Sequence, residues 1–297
     1  MRAAVFDIGT NTVRCLVSED GLEVLRGHRV VRLGKGVDAS GRFDPGAIDR
    51  AATGLADLMA AAGAPERVDA VATSATRDAA NRDVFLARAE AVLGVRPRVI
   101  GGEVEADLSF RGATSAGLAA PVLVIDVGGG STEFVLGDTA PEYGVSVDVG
   151  SVRLTERVIP DRPADNVTEA LEVALDLMAP VDLPRPPATV IGVAGTFTAL
   201  AAIDLHLEAY DRSLVHHHRL TVAAMEHIVE HLAGLTLQET AAIPSLEPAR
   251  APMLLGGAIV VLAALRTAGA DSVIVSEHDL LDGLMADLLA NRTPGVR

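Results

Sequence analysis

The sequence predicts an α/β protein of two similar domains with mixed sheets, and three observations carry that prediction. Strand-like and helix-like segments alternate along the chain, as expected of sheets covered by helices. A motif near the start recurs 119 positions later, at Asp7 and Asp126, about one domain length. The glycine triplet of VIDVGGGSTEFVLG, residues 124–137, lies between two strand-like runs and not at the start of a helix. A chain of 297 residues, 49% of them hydrophobic, has the length and apolar content for two cores.

Residues 5–17, VFDIGTNTVRCLV, read as an apolar strand with an Asp, then a glycine, a small polar turn and a second strand. Residues 125–135, IDVGGGSTEFV, repeat that layout, so each domain should open on a hairpin. Residues 29–33 look strand-like; Asp44 and Pro45 then offer a cap and a first-position proline for a helix with Ile48, Leu55, Leu58 and Met59 at helical spacing. Residues 68–72 read as a strand, 81–92 as a helix and 98–100 as a strand. The run after the glycine triplet, residues 131–136, is short, rich in β-branched and aromatic residues and closed by Gly137, which favours a strand. That excludes the P-loop and dinucleotide motifs, in which the glycines must open a helix. Residues 189–193 form a further strand feeding a third small-residue turn at Ala194, Gly195 and Thr196, and an apolar helix over 197–207 follows. DLPRPP, residues 182–187, is expected as a surface connector. The most apolar segment, APMLLGGAIVVLAAL at 251–265, reads as a buried helix or helix pair, its 15 residues falling short of a membrane span, which needs about 20.

The formal charge of −15 argues against nucleic acid as a partner. It is unevenly spread: residues 1–120 carry a net −1 and residues 121–297 a net −14. For a polyanionic ligand, direct cationic contacts should therefore come from the first half, with a metal supplying charge elsewhere. Lone Cys15 rules out an internal disulfide and suits a reducing cytosol. The short apolar run before Asp7 lacks the long core of a secretory leader. These features predict a cytoplasmic protein with no membrane partner.

Six motifs in one order carry a family resemblance: DIGTNTVR (7–14), TSATRDAAN (73–81), GGEVEADLSF (101–110), DVGGGSTE (126–133), GSVRLTE (150–156) and GVAGTFTALAA (192–202). They resemble the exopolyphosphatase and guanosine pentaphosphate phosphohydrolase family, part of the actin, sugar kinase and heat-shock ATPase superfamily. The resemblance covers roughly residues 1–205, with ARAPMLLGGAIVV still similar beyond, and fits the short, two-domain form. It implies two ribonuclease-H-like domains around a cleft, an actin-like ATPase fold, with domains at 1–117 and 118–297 and a last helix that either stays with the second domain or returns to the first. One departure is Leu281 and Asp282, where the family pattern has an Arg-Glu pair.

The resemblance also implies the chemistry. Hydrolysis of a phosphoanhydride needs a positioned water, a base and neutralised phosphate charge. The family's catalytic Glu maps onto Glu105; Glu103 competes, two residues earlier on one strand-like or turn-like side, and a solvated helix-start acid is the bland alternative. Asp126 matches a metal position, and a hard Mg²⁺ suits carboxylate and phosphate oxygens; Glu133 either joins it or is an exposed strand acid, and Asp7 is its mirror in the repeat. Gly128, Gly129, Gly130 and Ser131, with Thr10, Asn11 and Thr12 on the other turn, are expected to hold phosphate through amides and hydroxyls. Arg77 is the first choice for a guanidinium clamp, whereas Arg14 serves equally as phosphate ligand or exposed strand residue. Arg26, Arg29, Arg32 and Lys35 read as a solvated edge. Gly195 and Thr196 suit the distal end of a nucleotide or polyphosphate chain as well as they suit a plain turn. His216, His217 and His218 are consecutive, a poor geometry for one ion, and read as a surface loop. The expected activity is Mg²⁺-dependent release of orthophosphate from inorganic polyphosphate; guanosine pentaphosphate is the alternative substrate, a small-molecule kinase or a noncatalytic phosphate sensor the alternative class, and a homodimer is compatible with the sequence.

Overall fold

The computed structural model describes residues 1–114, 118–160 and 166–291. The chain divides into two compact units, Met1–Gly112 with Leu280–Arg297 and Ala113–Asp279. The boundary expected between 117 and 118 adjoins residues 115–117, outside the described residues.

In the first unit, β1 (Arg2–Ile8), β2 (Thr12–Glu19), β3 (Leu22–Val30), β4 (Arg67–Ala72) and β5 (Arg98–Val99) form one sheet in the order β3-β2-β1-β4-β5. β1 runs antiparallel to β2 and parallel to β4. Its near-continuous apolar run is explained by burial on both faces. Ala4, Phe6 and Ile8 join the core under helices Pro45–Ala62 and Arg82–Leu93. Ala3 and Val5 join Leu108 of helix Gly102–Ala113 and Leu280, Leu281 and Leu284 of helix Leu280–Leu289. The departure from the family pattern thus has two separate outcomes: Leu281 is core, and Asp282 accepts Arg26 Nη2 at 2.7 Å. Arg111 ties the same helix down by forking onto Asp287 at 2.8 and 2.9 Å.

The second unit holds β6 (Val122–Val127), β7 (Thr132–Gly137), β8 (Pro141–Val147), β9 (Thr189–Val193), β10 (Arg219–Thr221) and β11 (Ser272–Val275), in the order β10-β11-β9-β6-β7-β8. From β8 to β11 this reproduces the first sheet strand for strand and direction for direction, with β10 added at the edge. The motif repeat in the sequence is therefore a repeat of topology.

Several elements follow the sequence closely. The Asp44 carboxylate accepts the Ala47 amide at 3.0 Å and Pro45 takes the first helical position. Asp44→Ala should cost about 1 kcal/mol, the usual worth of such a cap, read as a lower urea midpoint at unchanged slope.

Others differ, each for a physical reason. The strand expected at 29–33 is β3, which ends at Val30 because Val31 and Arg32 turn to bond Asn11, with Arg32 at a φ of 51°. Glu103 and Glu105 sit on a helix, Gly102–Ala113, instead of a strand-like or turn-like stretch. The helix expected over 197–207 starts earlier and spans Ala194–Asp204. The apolar segment is a single helix, Ala251–Thr267, and with the preceding turn it reaches 20 residues, Pro248–Thr267, so length does not exclude a span. Burial is what marks it as core: Leu254, Leu255, Ile259 and Leu262 pack among the strands and helices of the second unit.

Candidate active site

In each unit the hairpin between the first two strands makes a turn with the same wiring. Gly9 donates its amide to Thr12 O at 3.0 Å, and Gly128 donates to Ser131 O at 3.0 Å. The turn carbonyls are tied back by amides just beyond the third strand. Thr10 O accepts Gly34 N at 2.8 Å, and Asn11 O accepts Val31 N and Arg32 N, both at 2.9 Å. Gly128 O accepts Ser151 N at 3.0 Å, and Gly129 O accepts Val152 N and Arg153 N at 2.8 and 3.1 Å. With the carbonyls so held, the amides of Thr10 and Asn11, and of Gly129, Gly130 and Ser131, meet no acceptor among the described residues. Successive unmet amides are an anion cradle. Asn11 Oδ1 is also buried without a donor among the described residues, a polar debt of about 1–3 kcal/mol unless water or ligand meets it.

Gly150 is essential to the second turn and was not singled out in the sequence. A Cβ there would lie 2.6 Å from Gly129 C and 2.7 Å from Gly129 O, so only glycine lets the helix Ser151–Val158 start against the turn. The glycine immediately before a Ser-led helix, inside a matched motif, is the signal that could have found it.

The carboxylates below the two turns differ. Asp7 faces Arg14 across the first hairpin, and the guanidinium donates to Asp7 Oδ2 from Nε at 2.8 Å and Nη2 at 2.6 Å. Metal ligation is the expectation for Asp7, and phosphate contact or exposure that for Arg14; in the structure the two side chains form an ion pair. At the matching places of the second hairpin, Asp126 faces Glu133, both buried, and Glu133 Oε1 accepts the Ser146 hydroxyl at 2.7 Å. Among the described residues no group of three or more His, Cys, Asp or Glu could hold an ion. A pair of facing carboxylates still fits Mg²⁺, which commonly takes one or two protein carboxylates and fills its shell with water and substrate phosphate.

At the end of β4, the short helix Ser74–Asp78 carries Arg77. Arg77 Nη1 donates to Ile100 O at 2.9 Å and to Glu105 Oε2 at 2.7 Å. Both bonds leave from Nη1, so the remaining edge of the fork is directed elsewhere. Glu105 is buried while Glu103 is exposed, because residues two apart on a helix point to different sides. The structure therefore brings two sequence-predicted residues, Arg77 and Glu105, into contact and leaves Glu103 out.

The small-residue turn expected at Ala194, Gly195 and Thr196 is the first turn of helix Ala194–Asp204, and Thr196 Oγ1 donates to Val127 O at 3.1 Å, which sets that helix start beside the end of β6. Gly195 lies under Arg250, whose Nη1 would be 2.2 Å from a Cβ; an arginine 55 positions away leaves no local trace in the sequence. The three histidines have different partners: His218 Nε2 pairs with Asp204 at 2.7 Å, His216 Nδ1 accepts the Glu277 amide at 3.2 Å, and exposed His217 stacks on His216 with ring centroids 3.8 Å apart.

Residues 17–292 match the model of the Ppx/GppA phosphatase family. The chain belongs to the Ppx/GppA phosphatase family. It is 43% identical to exopolyphosphatase 2 of Mycobacterium tuberculosis, over 97% of this chain and 98% of that protein. Two crystal structures share the fold. An exopolyphosphatase-like protein superposes with a TM-score of 0.89 at 36% identity, covering 97% of this chain and 98% of its own. The Aquifex aeolicus Ppx/GppA family member superposes with a TM-score of 0.79 at 30% identity, covering 99% of each. Membership in the Ppx/GppA family accounts for the order of the motifs, and the two α/β units are that family's fold.

Proposed function

We propose that the protein is a Mg²⁺-dependent exopolyphosphatase that releases orthophosphate from the end of inorganic polyphosphate. The observation that carries this reading is the Arg77–Glu105 contact. A buried carboxylate, oriented by a guanidinium that keeps donors to spare, suits a general base next to a phosphate. The identity to the mycobacterial exopolyphosphatase supports polyphosphate as substrate.

Glu105 takes a proton from the water that attacks the terminal phosphorus. The bond from that phosphorus to its bridging oxygen breaks, freeing orthophosphate and a chain one unit shorter. Arg77 holds Glu105 and offers its remaining donors to phosphate oxygens. The amides of Gly129, Gly130 and Ser131, and those of Thr10 and Asn11 with the Thr12 hydroxyl, receive phosphate oxygens. Asp126 and Glu133 would hold Mg²⁺, which supplies charge neutralisation on the phosphates when bound. Gly195 and Thr196 are assigned to a more distal phosphate.

We place the protein in the cytoplasm, supported by a lone buried Cys15 whose thiol burial pushes up to about 12. The reading includes no nucleic-acid partner, supported by the charge of −15, no membrane partner, supported by burial of the one long apolar helix among the described residues, and a homodimer, for which Leu22 and Val24, exposed on edge strand β3, offer apolar surface. Side-by-side phosphate release from polyphosphate and guanosine pentaphosphate, with Mg²⁺ and with chelator, tests the assignment. Faster release from polyphosphate, abolished by chelator, is expected; release from guanosine pentaphosphate alone would reassign the substrate.

A further inference from the structure

Arginine is the cation of this chain almost throughout: of its 25 Lys and Arg residues only Lys35 is a lysine. Several arginines of the first unit are committed to carboxylates of the same unit, as in the Arg77–Glu105, Arg98–Asp69 and Arg111–Asp287 pairs. Lys35 is exposed, and its ammonium meets no acceptor among the described residues, Asp38 and Asp78 of the adjoining segments included. Nor does it belong to the solvated strand edge with which the sequence groups it, because β3 ends at Val30 and Lys35 lies in the segment that follows.

That segment is pinned to the first turn. Gly34 N donates to Thr10 O at 2.8 Å, and a Cβ on Gly34 would lie 2.3 Å from Thr10 Cγ2 and 2.9 Å from Ala75 Cβ. Gly34 is therefore wedged between the turn and the short helix Ser74–Asp78 that carries Arg77. The backbone around the next residue is held as well, by bonds from Lys35 N to Arg32 O at 3.3 Å and from Val37 N to Gly34 O at 3.1 Å. The single lysine thus stands one residue from a contact with both the Thr10–Asn11 turn and the helix of Arg77.

We propose that Lys35 binds the polyphosphate chain behind the phosphate being cleaved, a substrate contact outside the amides of the turn. This rests on the reading of the protein as an exopolyphosphatase. The turn amides and the Arg77 fork have set directions and suit the phosphates about to react. An ammonium on a flexible four-carbon stem is a point charge without a fixed partner geometry, so it can follow a chain that moves inward by one phosphate after each release. Its exposure puts it on the solvent side, from which the uncleaved remainder of the chain comes. On a protein of net charge −15, a cation here also offsets the repulsion that a polyanion meets on approach.

Because Lys35 is the only lysine, a succinimidyl ester acylates two amines of the chain, Lys35 and the Met1 terminus, and mass spectrometry of the two peptides reads each rate. With Mg²⁺ and excess polyphosphate, the native chain should acylate several-fold more slowly at Lys35 and at an unchanged rate at Met1. Lys35→Gln should raise KM for polyphosphate about tenfold, the worth of one charge-assisted hydrogen bond, at unchanged kcat, as expected of a contact made equally in ground and transition states. Equal acylation of Lys35 with and without polyphosphate, or a native KM in Lys35→Gln, overturns the inference alone, since hydrolysis of polyphosphate by the native chain leaves the exopolyphosphatase reading standing. A native chain that releases no phosphate from polyphosphate overturns that reading and the inference with it. The acylation measurement decides the matter for a Lys35→Gln chain that does not fold.

Discussion

Glu105→Gln should lower kcat for phosphate release from polyphosphate by about 10²- to 10⁴-fold, the usual worth of general-base assistance, with KM changed little. The substitution keeps size and an acceptor oxygen, so Arg77 Nη1 retains a partner at the place where it now meets Oε2 at 2.7 Å. Exchange of a charged acceptor for a neutral one should cost about 1 kcal/mol of stability, too little to unfold a domain. Glu103→Gln is the matched control, because Glu103 is exposed on the same helical turn and should leave kcat within error. Stopped-time phosphate assays on the three proteins separate the roles. Turnover retained in Glu105→Gln, or lost equally in Glu103→Gln, would remove Glu105 as the base.

That contrast also locates the limit of what the sequence discloses. On a strand-like or turn-like stretch Glu103 and Glu105, two positions apart, share a side, and only the family motif prefers Glu105. On a helix they diverge by rotation, and Val104 and Leu108, four apart and both packed against the same core, were the available hint. The hairpins were legible because each combines an Asp, a glycine turn and flanking apolar strands within a dozen residues. Even the Asp7–Arg14 and Asp126–Glu133 pairings follow once the turns are centred on Gly9–Thr12 and Gly128–Ser131. Long-range contacts had no such signature. Arg250 over Gly195, and Leu280 and Leu284 under β1, depend on segments far apart in the chain that only packing brings together. β3 begins earlier than the expected strand because the alternation of Leu22, Glu23 and Val24 is broken by Leu25, and residues 26–29, RGHR, carry no apolar side chain to continue it.

Gly150→Ala should both destabilise the protein and depress kcat/KM, because the added methyl has nowhere to go. Gly150 has a φ of −153°, which alanine adopts freely, so backbone strain plays no part. The obstruction is steric: Gly129 C, Gly129 O and Gly128 O would lie 2.6, 2.7 and 2.8 Å from the new carbon. All three are backbone atoms, unable to swing aside as a side chain would. Relief requires the glycine turn and the start of helix Ser151–Val158 to separate, which stretches the bonds from Ser151 N, Val152 N and Arg153 N. Overpacking of this kind costs about 1–3 kcal/mol, and displacement of a binding group by an ångström can cost about 10²-fold in rate. Gly144→Ala on β8 is the internal comparison, since a Cβ there meets nothing within 4 Å. It should shift stability by less than about 0.5 kcal/mol and leave kinetics unchanged. Chemical denaturation and steady-state phosphate release on the pair give the answer. A loss of stability in Gly150→Ala with native kcat/KM would mean that the turn tolerates displacement and that its amides do not hold the reacting phosphate. Loss of both, with Gly144→Ala silent, ties the spacing of the Gly128–Ser131 turn to the chemistry through one missing methyl group.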